Sequence, residues 1–250
     1  MDRGIYAATS GGLQVTRKLD IVANNIANVS TVGFKGQRLI SREQTFAETL
    51  ASSLKGIPER AKEDFKQVPG VVDLGVTTDF SPGPIQVTGN ALDAALTKEN
   101  QFFVVQTPQG EALTRAGNFT VDVEGNLVTA DGYKVLGDGG GLQLPAGTPH
   151  LSQKGTITVN DETVGKLRIV EVSDLTQLER TDGVRFRVTG NATLQNVEAD
   201  IEPQSLEMSN INIMDGMVQM ITTQRGFEAY TKTIRAVDEL NDRAIRLARN

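Results

Sequence analysis

The amino-acid sequence predicts an α+β fold: long N- and C-terminal α-helices paired as a coiled-coil-like core, and a mainly antiparallel β domain between them in the chain. Two observations lead to this fold class. All eight prolines lie between Pro58 and Pro203, and because proline breaks helix interiors, only the two chain ends can hold long helices. The middle carries short β-prone runs separated by turn residues, which favours an antiparallel sheet. The expected parts are a helical core domain (1–40 and 205–250), an extended connector (41–85) and a β-rich domain (86–204).

Apolar residues in the N-terminal segment recur at alternating spacings of three and four, the pattern of a coiled-coil seam. This spacing predicts one helix over 4–28, about 37 Å long at 1.5 Å per residue. Turn-forming residues between Asn28 and Gly33 end it. The seam consists of Ile5, Ala8, Gly12, Val15, Leu19, Val22, Ile26 and Val29.

The C-terminal segment has the same kind of spacing over a longer distance. It predicts a helix of about 35–40 residues, roughly 50 Å or more in length, which Ser209 or Asn210 caps at its start. Because no compact domain of this size needs such a helix, we expect it to pack on the N-terminal helix or on another molecule. Its apolar positions are Ile213, Met217, Met220, Phe227, Tyr230, Ile234, Val237, Leu240, Ala244 and Leu247.

Between these ends, turn signals such as Asn160-Asp161 separate runs of β-prone residues. Residues 41–85 show neither a helical nor a strand period, so we interpret them as the connector, with room for a short helix near 41–54. The predicted strands are 101–106, 118–123, 126–129, 132–136, 155–159, 165–171 and 184–189.

The composition excludes several functional classes. The chain has no cysteine and one histidine, His150, which removes thiolate and multi-histidine metal sites and makes a histidine-based triad improbable. The net charge of -6 argues against binding to nucleic acid or to anionic membranes. No apolar run is long enough to span a bilayer, and no cleavable signal peptide is visible. We therefore predict no catalytic residue, no metal, no cofactor, no nucleic-acid partner and no membrane insertion.

Asn24, Asn25 and Asn28 cluster near the end of the predicted N-terminal helix, beside its apolar seam. Three asparagines at a helix end are typical of capping and turn formation. A polar residue beside a helix seam can instead fix the register of an assembly through hydrogen bonds. The residue pattern leaves both interpretations open.

Three motifs follow one another along the chain. Residues 19–35 carry L-D-x-x-A-N-N-hydrophobic-A-N followed by T-x-G-F-K, and residues 224–230 read Q-R-G-F-E-A-Y, with Lys232 after them. Between them, T-G-N-A-L-D-A-A-L (88–96), F-F-V-V (102–105) and T-R-A-G-N-F (114–119) precede Asp122, Gly125 and Leu127. In kind and in order, these motifs resemble those of the bacterial flagellar rod and hook protein family, and the resemblance covers nearly the whole chain.

The resemblance implies a structural subunit of the flagellar basal-body rod, the periplasm-spanning drive shaft that transmits torque. It implies self-assembly through the terminal helices, other rod subunits as partners, and export by the flagellar type III apparatus without a cleaved signal peptide. Family members also suggest that the unassembled chain ends are mobile and become ordered on docking. The opening residues 1–6 and Asp238-Glu239 are most similar to proximal-rod members, with distal-rod members as the near alternative.

From the seams and motifs we predict two groups of site residues. The assembly contacts of the helix pair are Ile5, Val15, Leu19, Val22 and Ile26 with Met220, Phe227, Ile234 and Val237. The register and motif residues are Asn24, Asn25, Asn28, Gly33, Phe34, Gln224 and Arg225. Two other hypotheses are a peptidoglycan hydrolase that assists passage of the rod through the cell wall, and an adaptor that plugs one rod end without polymerising.

Overall fold

A computed structural model describes residues 2–45 and 69–248. As predicted, one long helix lies at each end: α1 (Asp2–Ala27) and α2 (Ile213–Ala248). A short 3₁₀ helix occupies Leu175–Gln177. The strands are β1 (Gln37–Thr45), β2 (Pro69–Thr78), β3 (Ile85–Val87), β4 (Ala94–Leu96), β5 (Gln101–Thr107), β6 (Gly110–Thr114), β7 (Phe119–Val121), β8 (Leu127–Thr129), β9 (Lys134–Gly137), β10 (Gly140–Gly141), β11 (Pro149–Leu151), β12 (Thr156–Val159), β13 (Glu162–Lys166), β14 (Ile169–Val172), β15 (Leu178–Asp182), β16 (Arg185–Val188), β17 (Leu194–Val197), β18 (Ile201–Pro203) and β19 (Ser205–Glu207).

The described residues form two compact units. The helical unit consists of 2–26, 37–45, 69–77 and 212–248, and the β unit consists of 27–36 and 78–211. This division differs from the sequence-based boundaries at both ends of the β domain. Residues 33–36 join the β unit because their backbone is hydrogen bonded there: the Gly33 N–H donates to the Glu207 carbonyl (2.8 Å), and the Gly36 carbonyl accepts from the Asp79 N–H (2.8 Å).

The connector predicted over 41–85 is partly sheet. Strands β1 and β2 pair as a two-stranded sheet in the helical unit, and β3 begins at Ile85. Residues 41–45 of the predicted short helix belong to β1, while its residues 46–54 lie outside the described part of the chain.

Helix α2 starts a few residues later than the predicted cap. The Asn212 side chain is the N-cap, since its Oδ1 accepts from the Met214 N–H at 2.9 Å. Ser209 instead accepts from the Ile211 N–H through Oγ (3.3 Å), and the Asn210 side chain bonds within the β unit. The cap prediction was therefore wrong by two or three residues.

The main sheet of the β unit has ten strands. Its path runs β15–β16–β6–β5–β9–β8–β7, with β10 paired to β9 and with β14 joining β5 to β17. The pairs along it with a defined register are antiparallel, which confirms the predicted sheet type. Smaller antiparallel sheets pair β11–β12–β13, β18 with β4, and β19 with β3.

Strand β5 lies between two hydrophobic clusters. Phe103 and Val105 belong to one cluster, and Phe102 and Val104 belong to the other. A strand buried on both faces needs apolar residues at consecutive positions. The nearly unbroken apolar run at 101–106 is therefore explained by its place between the two cores.

One predicted strand, 165–171, is in fact two. Strand β13 pairs with β12 in the three-stranded sheet, whereas β14 pairs with β5 and β17 in the main sheet. The chain changes sheets at Leu167 and Arg168, and Leu167 is buried. A continuous β-prone run therefore conceals a switch between sheets.

The loop at 122–126 is a turn, in which the Gly125 N–H donates to the Asp122 carbonyl at 3.1 Å. The Asp122 carboxylate accepts from the backbone N–H groups of Glu124 and Asn126 at 2.9 and 2.8 Å, and from the Asn126 side chain at 2.9 Å. The hydrogen bond from the Asn126 side chain is the main cause that holds the pKa of Asp122 below its ordinary value of 3.8.

Candidate assembly surface

The two helices of the helical unit pack against each other in opposite directions. Three glycines mark the contact, because a Cβ atom placed on any of them would meet the other helix. It would lie 2.6 Å from Tyr230 Cε1 at Gly11, 2.9 Å from Ile26 Cγ1 at Gly216, and 3.8 Å from Val15 Cγ1 at Gly226. Early residues of α1 thus face late residues of α2, and small residues let the two backbones approach closely.

The predicted contact residues divide into two groups. Val22 is 4% exposed, and the following residues are half-buried: Val15, Leu19, Ile26, Met220, Ile234 and Val237. Phe227, in contrast, is 40% exposed. The α2 side of the contact passes instead through Gly216, Thr223 (6% exposed), Gly226 and Tyr230. The side chain of Ile5 lies outside the described part of the structure.

A second apolar face of α2 points away from α1. Met214, Met217, Val218 and Ile221 are 66%, 47%, 59% and 52% exposed, and their spacing places them on one side of a helix. We call these four residues the basal stripe. Gly216, which meets α1, lies about 200° around the helix from Met214 at 100° per residue. The stripe is therefore on the side opposite to the helix–helix contact.

The motif asparagines make contacts within the chain. The Asn25 side chain donates to the Gln37 carbonyl (2.8 Å) and accepts from the Gln37 N–H (3.0 Å), so it bonds both backbone groups of the first β1 residue. Asn28 Oδ1 accepts from the Thr31 hydroxyl at 3.2 Å, and its carbonyl accepts from the Thr31 N–H at 3.1 Å. Asn24 is exposed. Asn28 thus makes a turn contact, whereas Asn25 links the end of α1 to the start of β1.

Gly33 and Phe34 follow this turn and enter the β unit. Gly33 has φ +67°, and a Cβ there would lie 2.4 Å from the backbone nitrogen of Ala116, so only glycine fits. Phe34 is 1% exposed, and the Arg180 guanidinium lies 4.5 Å above its ring, a cation–π distance. Burial lowers the pKa of Arg180 to about 10.

A buried ion triad joins the segment after α1 to the segment before α2. Glu207 Oε1 accepts from Lys35 Nζ at 2.7 Å and from the Gly83 N–H at 3.0 Å. Its Oε2 accepts from Arg115 Nε at 2.7 Å and lies 2.6 Å from Arg115 Nη2. Lys35 Nζ also donates to the Ser81 carbonyl (2.7 Å). All three charged side chains are at most 1% exposed, so the triad is inside the β unit.

The two cations of the triad are well satisfied. Arg115 also donates to the backbone carbonyls of Leu96 (3.1 Å), Gln101 (2.7 Å) and Lys98. Burial lowers the pKa of Lys35 and of Arg115, and the Glu207 carboxylate opposes this effect. One carboxylate thus holds two buried cations, and removing it would break the ion pairs of both, with Glu99 as the carboxylate that still raises their pKa values.

Asn210 completes the connection. Its Oδ1 accepts from the Gly36 N–H (2.8 Å), and its Nδ2 donates to the Asp79 carbonyl (2.8 Å). We call Lys35, Arg115, Glu207 and Asn210 together the clasp. Sequence reasoning included Lys35 and Arg115 in motifs without assigning them a contact. It assigned Asn210 to the cap of the C-terminal helix, and it missed Glu207.

The remaining predicted residues, Gln224 and Arg225, are exposed on α2. Over residues 2–45 and 69–248, no group of three or more His, Asp or Glu side chains is placed to hold a metal ion. Neither helix in the same part of the chain has a stretch apolar enough to cross a lipid bilayer. The arrangement offers helix faces and a rigid β unit for contact with other proteins.

Comparison with known proteins supports this view along the whole chain. Residues 5–35 match the family described as flagella basal body rod protein, 98–169 match the flagellar hook protein FlgE/F/G D1 domain, and 202–247 match the flagellar basal body rod FlgEFG protein C-terminal family. The chain is 33% identical over 249 residues to the flagellar basal-body rod protein FlgF of Caulobacter vibrioides, with 98% of this chain and 97% of the relative covered.

The chain belongs to the flagellar basal-body rod protein family. Two further family members are the rod protein FlgG of Bacillus subtilis, 32% identical with both chains fully covered, and FlgF of Salmonella typhimurium, 31% identical with 99% of this chain and 98% of the relative covered. This rod protein is a structural subunit of the basal body and not an enzyme, so the peptidoglycan hydrolase hypothesis is set aside. All three family matches contain parts of the clasp: Lys35 lies in the first, Arg115 in the second, and Glu207 and Asn210 in the last.

Proposed function

We propose that this chain is a proximal-rod subunit that joins its neighbours through the helical unit and transmits torque along the periplasmic drive shaft. The observation that supports assembly through the helical unit is the basal stripe. Four large apolar side chains on one helix face, each about half exposed or more, are typical of a protein–protein contact surface. In the rod they would be covered by another subunit.

The proximal position rests on features of the sequence. The opening residues 1–6 and Asp238-Glu239 resemble proximal-rod members more than distal ones, while relatives with the names FlgF and FlgG are 33% and 32% identical. The expected route of the chain is the flagellar type III export apparatus. A labelled full-length chain should appear at the cytoplasmic-membrane end of isolated rods, and a label at the outer end would assign it to the distal rod.

Several predicted site residues are exposed on the helical unit, and contact with a neighbouring subunit would explain their exposure. Phe227 is 40% exposed and lies about 220° around α2 from Met214 at 100° per residue, away from the basal stripe. It is a separate candidate contact with a neighbour, together with the motif residues Gln224 and Arg225. We also propose that Asn24 contributes a polar register contact, since it is exposed on α1.

One pair of matched substitutions tests the stripe. Val218→Lys places a charge in the stripe, and Val123→Lys makes the same change at a fully exposed valine of the β unit. Both variants should fold, because both valines face solvent in the free chain. We expect Val218→Lys to be absent from purified basal bodies and to abolish swimming, and Val123→Lys to behave as the unchanged chain does. Normal incorporation of Val218→Lys would remove the stripe from the assembly contact.

A further inference from the structure

One whole amide group is buried in the β unit without a hydrogen bond. Gln101, the first residue of β5, is 0% exposed, and neither its Nε2 nor its Oε1 has a hydrogen-bond partner. In the part of the chain that the structure describes, two other buried side-chain atoms share this property, Gln177 Oε1 and Arg180 Nε. Each of those side chains, however, donates a hydrogen bond through another nitrogen atom. Gln101 is thus the described residue whose buried head group is unpaired at both of its ends.

The backbone around Gln101 holds this side chain inside the fold. Its carbonyl accepts from Arg115 Nη1 of the clasp at 2.7 Å, and β5 pairs with β14 here, with Gln101 opposite Glu171. Because successive side chains of a strand point to opposite faces, Gln101 lies on the face of β5 that carries Phe103 and Val105. Both of these residues belong to one hydrophobic cluster. The amide therefore lies on an apolar face of the sheet and cannot reach water unless the strand moves.

An unpaired buried amide opposes folding. Water bonds both ends of the amide in the unfolded chain, and folding removes these hydrogen bonds without replacing them. The penalty for burying unsatisfied polar groups of this kind corresponds to a change of at least about tenfold in the folding equilibrium. Methionine has nearly the same length and shape, and its thioether needs no hydrogen bond. Methionine at this position would therefore fill the same space without the penalty.

We propose that Gln101 limits the stability of the β unit and lets the unit open more readily than its apolar packing alone would allow. The clusters on the two faces of β5 favour the closed state, and the unpaired amide on the same strand opposes it. The processes affected are those that act on the open state, namely hydrogen exchange, proteolysis and any step that handles the unfolded chain. This role goes beyond the proposed function and does not depend on it.

Gln101→Met in the full-length chain tests this role, and Gln195→Met is the matched control. Gln195 is exposed on β17 and pairs with Glu171, so it lies in the same row across the sheet as Gln101. Hydrogen-exchange mass spectrometry follows the backbone amides of 102–105, whose exchange requires the β unit to open. We expect exchange to be at least about tenfold slower in Gln101→Met, which is about 1.4 kcal/mol. In Gln195→Met it should stay within about twofold of the unchanged chain.

Two outcomes of this experiment would overturn the proposal. Unchanged or faster exchange in Gln101→Met would show that the folded chain already satisfies the amide. Equal slowing in both variants would show that methionine stabilises the sheet wherever it is placed, and that the buried amide has no special effect.

A second measurement observes the amide group itself. Its NMR signal is the glutamine side-chain NH₂ signal that disappears in Gln101→Met. We expect no cross-peak between this signal and water, because the group is buried on an apolar face. A cross-peak would reveal an internal water that bonds the amide, as buried waters do for otherwise unsatisfied groups, and it would overturn the proposal.

Discussion

Replacing Glu207 by glutamine measures what the ion triad contributes to the β unit. The substitution preserves the size of the side chain and removes the charge, so Lys35 and Arg115 both lose the counter-charge to which they are hydrogen bonded. Breaking a buried ion pair by removing one partner typically costs about 3–5 kcal/mol. For a unit of this size, that loss corresponds to a fall in melting temperature of roughly 10–20 °C. Burial lowers the pKa of both cations, which agrees with a substantial cost of desolvating them.

Differential scanning calorimetry of the full chain is the appropriate assay, because it separates the transition of the β unit from that of the helical unit. Glu202→Gln is the matched control, since Glu202 lies five residues earlier and is exposed. We expect the control to change stability by no more than about 0.5 kcal/mol. In the Glu207→Gln background, Lys35→Met should cost less than it does alone, because it removes one unpaired charge. Equal melting temperatures for the two glutamine variants, or additive effects of the double substitution, would refute this account of the triad.

Three further predictions concern turns and caps. Gly33→Ala should destabilise the β unit by at least about 2 kcal/mol more than Gly89→Ala in chemical denaturation. Both positions have positive φ, but a Cβ would meet neighbouring atoms only at Gly33. Equal losses of unfolding free energy in the two variants would contradict the steric argument. Asn25→Ala removes the acceptor of the Gln37 backbone N–H and should raise the hydrogen-exchange rate of that amide about tenfold. An unchanged exchange rate in hydrogen-exchange mass spectrometry would show that these hydrogen bonds contribute nothing to stability. In an NMR titration Asp122 should have a pKa below 3.8, and Asn126→Ala should raise that pKa. Because the pKa of Asp122 is lower in the folded state than in the unfolded state, the ionised carboxylate stabilises the fold. This stabilisation is complete at a pH above the unfolded-state pKa and is lost as the pH falls through the folded-state pKa.

The two long helices could be predicted from the sequence because their apolar spacing is regular over many turns. The side of α2 that faces α1 was less predictable. The pattern favoured large residues such as Met217 and Phe227, whereas the contact passes through Gly216, Thr223 and Gly226. A Cβ at Gly216 would lie 2.9 Å from Ile26 Cγ1 of α1, so the missing side chain makes room for Ile26. A search for large apolar side chains passes over such a position.

The clasp could not be predicted from local patterns. Lys35 and Arg115 lie in recognisable motifs, but their common partner Glu207 is 172 residues from the first and 92 from the second. A charged side chain is ordinarily expected at the surface, so nothing near Glu207 marks it as buried. Several three-residue strands, such as β3 and β19, were missed for a related reason: three residues are too few to show a period of two.

The sequence separation within the clasp also sets an order of events in folding. Contacts between distant residues form late, since the chain entropy of closing the intervening loop must first be overcome. When a chain emerges with its amino terminus first, Lys35 is available for pairing early. Glu207 becomes available only after four fifths of the residues have been released. The buried ion triad of the β unit therefore cannot form while the chain is incomplete at Glu207. Folding of the β unit is complete only when nearly the whole polypeptide is present.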